Sequence, residues 1–201
     1  MSRKGSLYDF NPRNTGLYEA HVWKAYYDRD WPLALLLVYR MLRSQFNLGP
    51  LHGACATYYS VRAAVAWAPR DHDTAKVRAL LRRFYGVLRH ATGAPFDAAA
   101  AGDAELDYWV VHRQFDGEKG RPELIDANTR IAATVYSLSF AQARPAGVAR
   151  AHAADLVDDI TGGRQAPTPE AWATVAAALR SAYTLLHDAA VVAAQQDQAT
   201  A

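Results

Sequence analysis

Three ionisable residues, Glu19, Glu105 and His112, lie where the sequence predicts the apolar sides of helices. At 100° of rotation per residue, Glu19 falls among the aromatic and apolar residues of a helix predicted over 17–29. Glu105 and His112 lie two turns apart on the apolar side of the helix that contains Asp107. A buried charge costs several kcal/mol unless it is paired. We therefore expect these residues to have partners inside the protein or to bind a ligand there.

Arg62 is the partner that the sequence predicts for these carboxylates. It is the single formal charge in a helix expected between Leu51 and Ala68, among many small residues. Small residues allow a neighbouring backbone to approach closely, so we expect this to be the central helix, packed against the uncharged segment 131–140. A buried guanidinium requires a carboxylate, and Glu19 or Glu105 is the expected one.

The candidate ligand-binding set combines carboxylates, a guanidinium, an imidazole and phenols. Its members are Glu19, Tyr26, Tyr59, Arg62, Glu105 and His112, with His52 as a further candidate. In one interpretation the set is a structural network in which Arg62 neutralises the glutamates. In the other it is a pocket in which Arg62 binds an anion and a glutamate or His112 transfers a proton. The residue types alone leave both open.

A metal centre finds little support in the spacing of these residues. Ferritin-like di-iron bundles place a Glu-x-x-His pair on each of two helices. The chain contains no such pair, because neither Glu19 nor Glu105 is followed by a histidine three residues later. A mononuclear site of His52, His112 and one glutamate is the metal arrangement left open. We predict no metal and no cofactor.

Prolines, glycines and potential capping residues divide the chain into eight predicted helices. They are expected at about 17–29, 31–46, 50–67, 74–90, 97–115, 122–143, 145–161 and 169–194. No strand-like alternation competes with this pattern, and short loops favour antiparallel neighbours. The prediction is an all-α, single-domain bundle of seven or eight mostly antiparallel helices over 15–194, after an N-terminal arm (1–14) and before a polar tail (195–201).

Two predicted helices have strongly charged faces. His152, Asp155, Asp158 and Asp159 fall together opposite an apolar side, which is typical of a solvated acidic face. The helix over 74–90 carries five basic residues and no acid, but no helix-turn-helix pattern or glycine-rich phosphate loop accompanies it. We expect a solvated basic face that pairs with acidic residues of the seventh helix, and nucleic-acid binding is not favoured.

Composition limits the classes of protein that fit this chain. With 51% hydrophobic residues, 201 residues can form one domain with a sizeable core, and a net charge of +2 names no partner class. The longest apolar run, 31–39, is too short to span a bilayer. The single cysteine, Cys55, excludes an internal disulfide and is expected to be a small core residue. No apolar signal region follows Arg3 and Lys4, so we expect a cytoplasmic protein.

Two short runs, Tyr108–Arg113 and Leu156–Gly163, resemble a family of uncharacterised bacterial all-helical proteins. The resemblance extends from Tyr18 to Tyr183. It implies a helical fold and a bacterial origin, but no activity and no functional residue.

Two functions are therefore expected from the sequence. The first is a small-molecule binding protein or non-redox enzyme that holds an anionic or aromatic ligand with Arg62 and uses Glu19, Glu105 and His112 for acid–base work. The second is a structural or interaction protein, either a scaffold or a homo-oligomer. In that case the polar core fixes the packing and the outer faces bind partners.

Overall fold

Eight α-helices form the protein in a computed structural model that describes residues 6–114 and 118–200, with side chains described up to residue 196. The described residues include no strand, which confirms the predicted all-α single-domain bundle. The helices are α1 (Pro12–Tyr27), α2 (Trp31–Gln45), α3 (Pro50–Trp67), α4 (Thr74–Thr92), α5 (Ala98–Arg113), α6 (Pro122–Tyr136), α7 (Phe140–Thr161) and α8 (Pro169–Thr200).

The helices close into a ring. Each packs against its neighbours in the chain, and α1 also packs extensively against α8. This last pair is antiparallel, because Phe10, just before α1, contacts His187 while Lys24 lies over Trp172. Gly16 allows the close approach, since a Cβ at this position would lie 2.5 Å from the backbone N of Arg180. The first and last helices therefore hold the ring together.

Polar capping residues determine where several helices begin. Asn11, Asp30, Asp73 and Asp97 each accept a hydrogen bond from a backbone N–H in the first turn of the helix that follows. Gly93 ends α4 in the left-handed conformation (φ 70°), as its position in the sequence predicts. Local sequence signals therefore fix most of the boundaries.

The boundary predicted at Pro145 is wrong. Helix α6 ends earlier, at Tyr136, and the C-cap residue Ser137 adopts a left-handed conformation (φ 54°). Helix α7 then begins with a capping box, in which the side chains of Ser139 and Gln142 each accept a hydrogen bond from the other's backbone N–H. Pro145 lies in the second turn of α7. The capping box thus outweighs the proline as a start signal.

Two other helix ends differ from the prediction by five residues or more. Helix α1 begins at Pro12, five residues before the predicted start, and α8 continues to Thr200, past the predicted end near Ala194. Helix α5 ends at Arg113. The predicted end at Phe115 lies outside the described residues, as does most of the loop predicted after it.

The main core receives side chains from α2 to α8 and from the segment before α1. Leu7 and Phe10, within the predicted N-terminal arm, are both buried there. None of the described helices has both the length and the apolar character needed to cross a bilayer.

Helix α3 lies at the periphery, so its predicted central position is wrong. It packs against α2 and α4, and the uncharged partner predicted for it, at 131–140, belongs mainly to α6, which packs against α5 and α7. Its buried side consists of Gly53, Ala56, Thr57 and Ala63. Cys55 is exposed, so its predicted core position is also wrong. The small residues of α3 thus allow close packing on one side of the helix, while the opposite side is exposed.

Candidate functional site

Glu19 is buried, as its position in the sequence predicts, and its partner is Arg150 of α7. Nη2 of Arg150 donates a hydrogen bond to Oε1 of Glu19 over 2.6 Å. The Glu19 side chain is 5% exposed and that of Arg150 25% exposed. Nη1 of Arg150 donates to Oδ1 of Asn128 in α6, also over 2.6 Å. One guanidinium thus joins α1, α6 and α7.

Two aromatic rings flank this guanidinium. Its central carbon lies 5.1 Å from the ring centroid of Tyr108 and 5.6 Å from that of Trp23. Such cation–π contacts strengthen when the cation is partly desolvated. Burial lowers the pKa of Arg150, but Glu19, Tyr108, Tyr183 and Glu105 together outweigh it, and the net pKa lies well above the ordinary value. Arg150 is therefore a fixed positive charge.

Glu105 occupies a second, separate position in the interior. Its carboxylate accepts a hydrogen bond from Tyr85 Oη (3.0 Å) at one oxygen and from Trp109 Nε1 (2.9 Å) at the other. Burial raises the pKa of Glu105, although the charge of Arg150 and both hydrogen bonds lower it in part. Both oxygens of this carboxylate are satisfied by neutral donors. Glu105 is thus held by packing and by hydrogen bonds, without a direct ion pair.

Tyrosines complete this polar core network, which consists of Glu19, Trp23, Tyr85, Glu105, Tyr108, Trp109, Asn128, Arg150 and Tyr183. Burial raises the pKa of Tyr85, and the nearby charge of Glu105 raises it further. Burial and then Glu19 do the same for Tyr183. Both phenols therefore stay protonated and act as neutral donors over the physiological pH range.

His112 lies apart from Glu105, next to α7. Its Nε2 is 3.4 Å from Oδ2 of Asp158, a distance that makes an ion pair when the imidazole is protonated. The ring of Tyr108 stacks on the imidazole at 5.7 Å between centroids. Tyr27 is also close to Asp158, and burial and then this carboxylate raise its pKa. His112 thus belongs to the end of the bundle where α5 and α7 terminate.

Arg62 is the main error among the predicted site residues. It is exposed on α3, where Nη1 donates to Oη of Tyr58 over 2.9 Å and the guanidinium stacks on the same ring. Within the part of the chain that the structure describes, no carboxylate pairs with Arg62. The convergence predicted for Arg62 with Glu19 and Glu105 is therefore wrong, because the carboxylates face a guanidinium from α7.

The other candidates are also dispersed. Tyr26 is 43% exposed and packs edge-to-face against Trp31, whereas Tyr59 packs against the main core. His52 contacts the ring of His90 in the last turns of α4, at the opposite end of the bundle from His112. The mononuclear metal site with both histidines therefore has no geometric basis. Among the described residues, no three His, Cys, Asp or Glu side chains are grouped so as to hold a metal ion.

The acidic side of α7 is covered, so its predicted solvation is wrong except at His152, which is exposed. Asp155 and Asp159 are 4% and 8% exposed. The backbone N–H of Gly120 donates to Asp155 (2.9 Å), and Lys119 and Arg164 pair with Asp159. Loops fold over this side of the helix, and helical periodicity within α7 cannot reveal them.

The predicted pairing of the basic helix with α7 is likewise wrong. Arg78 and Arg82 of α4 both pair with Asp103 in the neighbouring helix α5. The reason is topological, since α4 packs against α3 and α5 and lies away from α7.

The polar core network is almost completely satisfied by its own members. Its exception is Oε2 of Glu19, which has no hydrogen-bond partner among the described residues. A cavity of about 30 Å³ lies beside Arg150, Asn128 and Tyr183. This volume suits a water molecule and is far below the several hundred Å³ typical of metabolite pockets. Chemically, the contacts of Arg150 can hold α1, α6 and α7 together, and the cavity can admit at most a very small polar molecule.

Arg150 is the charged residue of this network that the sequence reasoning missed. It lies among alanines and glycines, and between Pro145 and Ala154 it is the only formally charged residue. The same signal, a single arginine among small residues, led to the choice of Arg62. Acidic residues follow Arg150 in the sequence, and they made the whole helix resemble a surface helix. The position of Arg150 in the interior was therefore not recognised.

A second feature is the exposed side of α3. Leu51, Tyr58 and Val65 are seven residues apart and are 86%, 53% and 64% exposed. Ala54, Cys55 and Arg62 share this side of the helix and are also exposed. We call these six residues the α3 outer stripe. Single exposed apolar residues are common, whereas an aligned row along one helix is a more unusual feature of a surface.

Comparisons with models of known protein families, with curated proteins and with solved structures find no significant match to this chain.

Proposed function

We propose that this chain is an interaction protein that binds another protein through the α3 outer stripe, while its polar core network fixes the packing of the bundle. The observation that carries the proposal is the row of exposed apolar side chains at heptad spacing, Leu51, Tyr58 and Val65. Helices with such rows normally bury them against another helix.

The surroundings of the stripe support this role. Leu33, Leu35 and Leu36 of the neighbouring helix α2 are also 43–50% exposed. Helices α2 and α3 approach closely near their connecting loop, where a Cβ at Gly53 would lie 2.6 Å from Arg43 Cγ. Exposed apolar side chains therefore occur on α2 as well as on α3.

Photo-crosslinking from Cys55 tests the proposal, because this single cysteine lies within the stripe. The chain labelled there with a benzophenone maleimide is irradiated in an extract of its native cells. We expect a discrete protein adduct that Val65→Asp abolishes and Val148→Asp leaves unchanged. Val148, 43% exposed on α7, is the matched control. Absence of an adduct, or an adduct insensitive to Val65→Asp, would contradict the proposal.

A second candidate function is binding of a very small polar molecule in the core, and the unpartnered Oε2 of Glu19 favours it. Arg150 lines the adjacent cavity and supplies donors for such a molecule. Native mass spectrometry of freshly purified protein tests it. A bound mass that disappears in Glu19→Gln supports binding, and an unliganded wild-type protein argues against it.

A further inference from the structure

The α3 outer stripe lies in the basic part of a molecule whose charge is unevenly distributed. Residues 31–92, which include α2, α3 and α4, contain nine basic and two acidic residues, a net charge of +7. The rest of the chain contains thirteen basic and eighteen acidic residues, a net charge of −5. The overall value of +2 conceals this asymmetry.

Few of the basic side chains in this part are neutralised. In the described residues, the ion pairs that α2, α3 and α4 form with carboxylates are those of Arg78 and Arg82 with Asp103. Arg62 lies within the stripe and bonds to Tyr58, a neutral partner. The donors that remain on its guanidinium are available to a carboxylate on a partner that covers the stripe.

The spacing specifies the shape of that partner. Leu51, Tyr58 and Val65 form a straight row about 21 Å long at 1.5 Å per residue. Residues at this heptad spacing form the seam of helix–helix packing. A second copy of the chain would bring two basic surfaces together, which complementarity of charge disfavours.

We propose that the α3 outer stripe binds an amphipathic helix of another protein, in which acidic residues flank the apolar stripe. This inference rests on the proposed function and adds the chemistry of the partner. The apolar row provides the contact area, and Arg62 within it, in the basic part of the chain, selects for carboxylates.

Designed peptides test the chemistry without knowledge of the natural partner. The probe is a fluorescently labelled helix of about 21 residues, three heptads, with leucine at the a and d positions and glutamate at e and g. The matched probe carries lysine in place of glutamate. We expect the acidic peptide to bind the full chain at least about tenfold more tightly, and its affinity to fall as salt increases.

Variants locate the binding site. Val65→Asp should weaken the acidic peptide by about tenfold or more, and Arg62→Glu by about three- to tenfold, because this substitution removes an attraction at the rim and adds a repulsion. Val148→Asp should leave the affinity unchanged. Equal binding of the two peptides, or binding insensitive to Arg62→Glu, would overturn the inference.

Two further measurements distinguish other occupants. Sedimentation of the chain alone reports self-association, and flotation with phosphatidylserine vesicles reports lipid binding. Dimerisation or vesicle binding that Val65→Asp abolishes would overturn the acidic-helix inference. If the Cys55 adduct persists while the acidic peptide shows no preference, the inference fails and the proposed function stands. If the adduct is also absent, both fail.

Discussion

Helices α3 and α7 each contain an arginine within a stretch of small residues, Arg62 and Arg150, and these two arginines occupy opposite environments. In α7 the guanidinium of Arg150 is buried between α1 and α6 and pairs with Glu19. In α3 the guanidinium of Arg62 lies at the surface on the ring of Tyr58. Small residues permit the close approach of another helix, but they do not determine which helix approaches. The difference therefore lies in the neighbouring helices.

Replacing each arginine should give the largest difference in stability between the two helices. Arg150→Met leaves the Glu19 carboxylate buried without a counter-charge, and breaking a buried ion pair costs about 3–5 kcal/mol. Because the Arg150 side chain is 25% exposed, we expect the lower end of this range. Arg62→Met removes a surface contact, which is worth about 1 kcal/mol or less. Urea unfolding followed by circular dichroism measures both free energies.

The double variant sharpens the result. Replacing both partners, Glu19→Leu with Arg150→Met, removes the orphaned charge, and such replacements are often close to neutral. We expect it to recover at least half of the stability that Arg150→Met loses. A double variant as unstable as the single one would show that the geometry of the ion pair itself holds the helices.

Glycine substitutions provide a second matched pair. A Cβ at Gly147 in α7 would lie 2.1 Å from Oγ1 and 2.9 Å from the Cα of Thr129 in α6. Since the backbone must move, we expect Gly147→Ala to cost about 1–3 kcal/mol. In α3, a Cβ at Gly53 meets mainly the flexible side chain of Arg43. Gly53→Ala should change stability by less than about 1 kcal/mol, because better helix propensity offsets the contact.

Calorimetric melting of the two glycine variants compares them directly. A larger loss of stability for Gly53→Ala than for Gly147→Ala would contradict the conclusion that α7 is the more tightly packed helix. Because Gly147 lies one turn before Arg150, Gly147→Ala should also weaken the contact between Arg150 and Asn128.

The sequence predicts the helices well and the site only in part. Capping residues such as Asp30, Asp73 and Asp97 act within a few residues, so they locate helix starts without knowledge of the tertiary fold. Burial of Glu19 follows from periodicity, which is also local. Its partner Arg150 is 131 residues away in sequence, and no local pattern encodes such a contact.

The pH dependence of stability tests the state of Glu105. Burial raises the pKa of Glu105 above its ordinary value, so the folded state binds this proton more tightly than the unfolded state. The associated stability is fully present below the unfolded pKa and is lost as the pH rises through the folded pKa. Relative to Glu105→Gln, the wild type should therefore lose stability as the pH rises through this window.

Urea titrations of the wild type and Glu105→Gln at a series of pH values measure this difference. Protonated glutamic acid resembles glutamine, since each has an acceptor and a donor facing the hydroxyl of Tyr85 and the indole of Trp109. The two proteins should therefore be most alike in acid. A difference in stability that is independent of pH would mean that solvent reaches the carboxylate.

Val65→Asp in α3 should have the smallest effect on stability. The variant therefore tests the α3 outer stripe without unfolding the protein. Val65 is 64% exposed, so its substitution should change the free energy of unfolding by no more than about 0.5 kcal/mol. A charge at this position nevertheless interrupts the apolar row and should abolish the Cys55 adduct.

Val157 in α7 is 3% exposed, so Val157→Asp should instead unfold a large fraction of the protein. A strong destabilisation by Val65→Asp would mean that the α3 outer stripe is held against this chain's own bundle, and the contrast between the two helices would disappear.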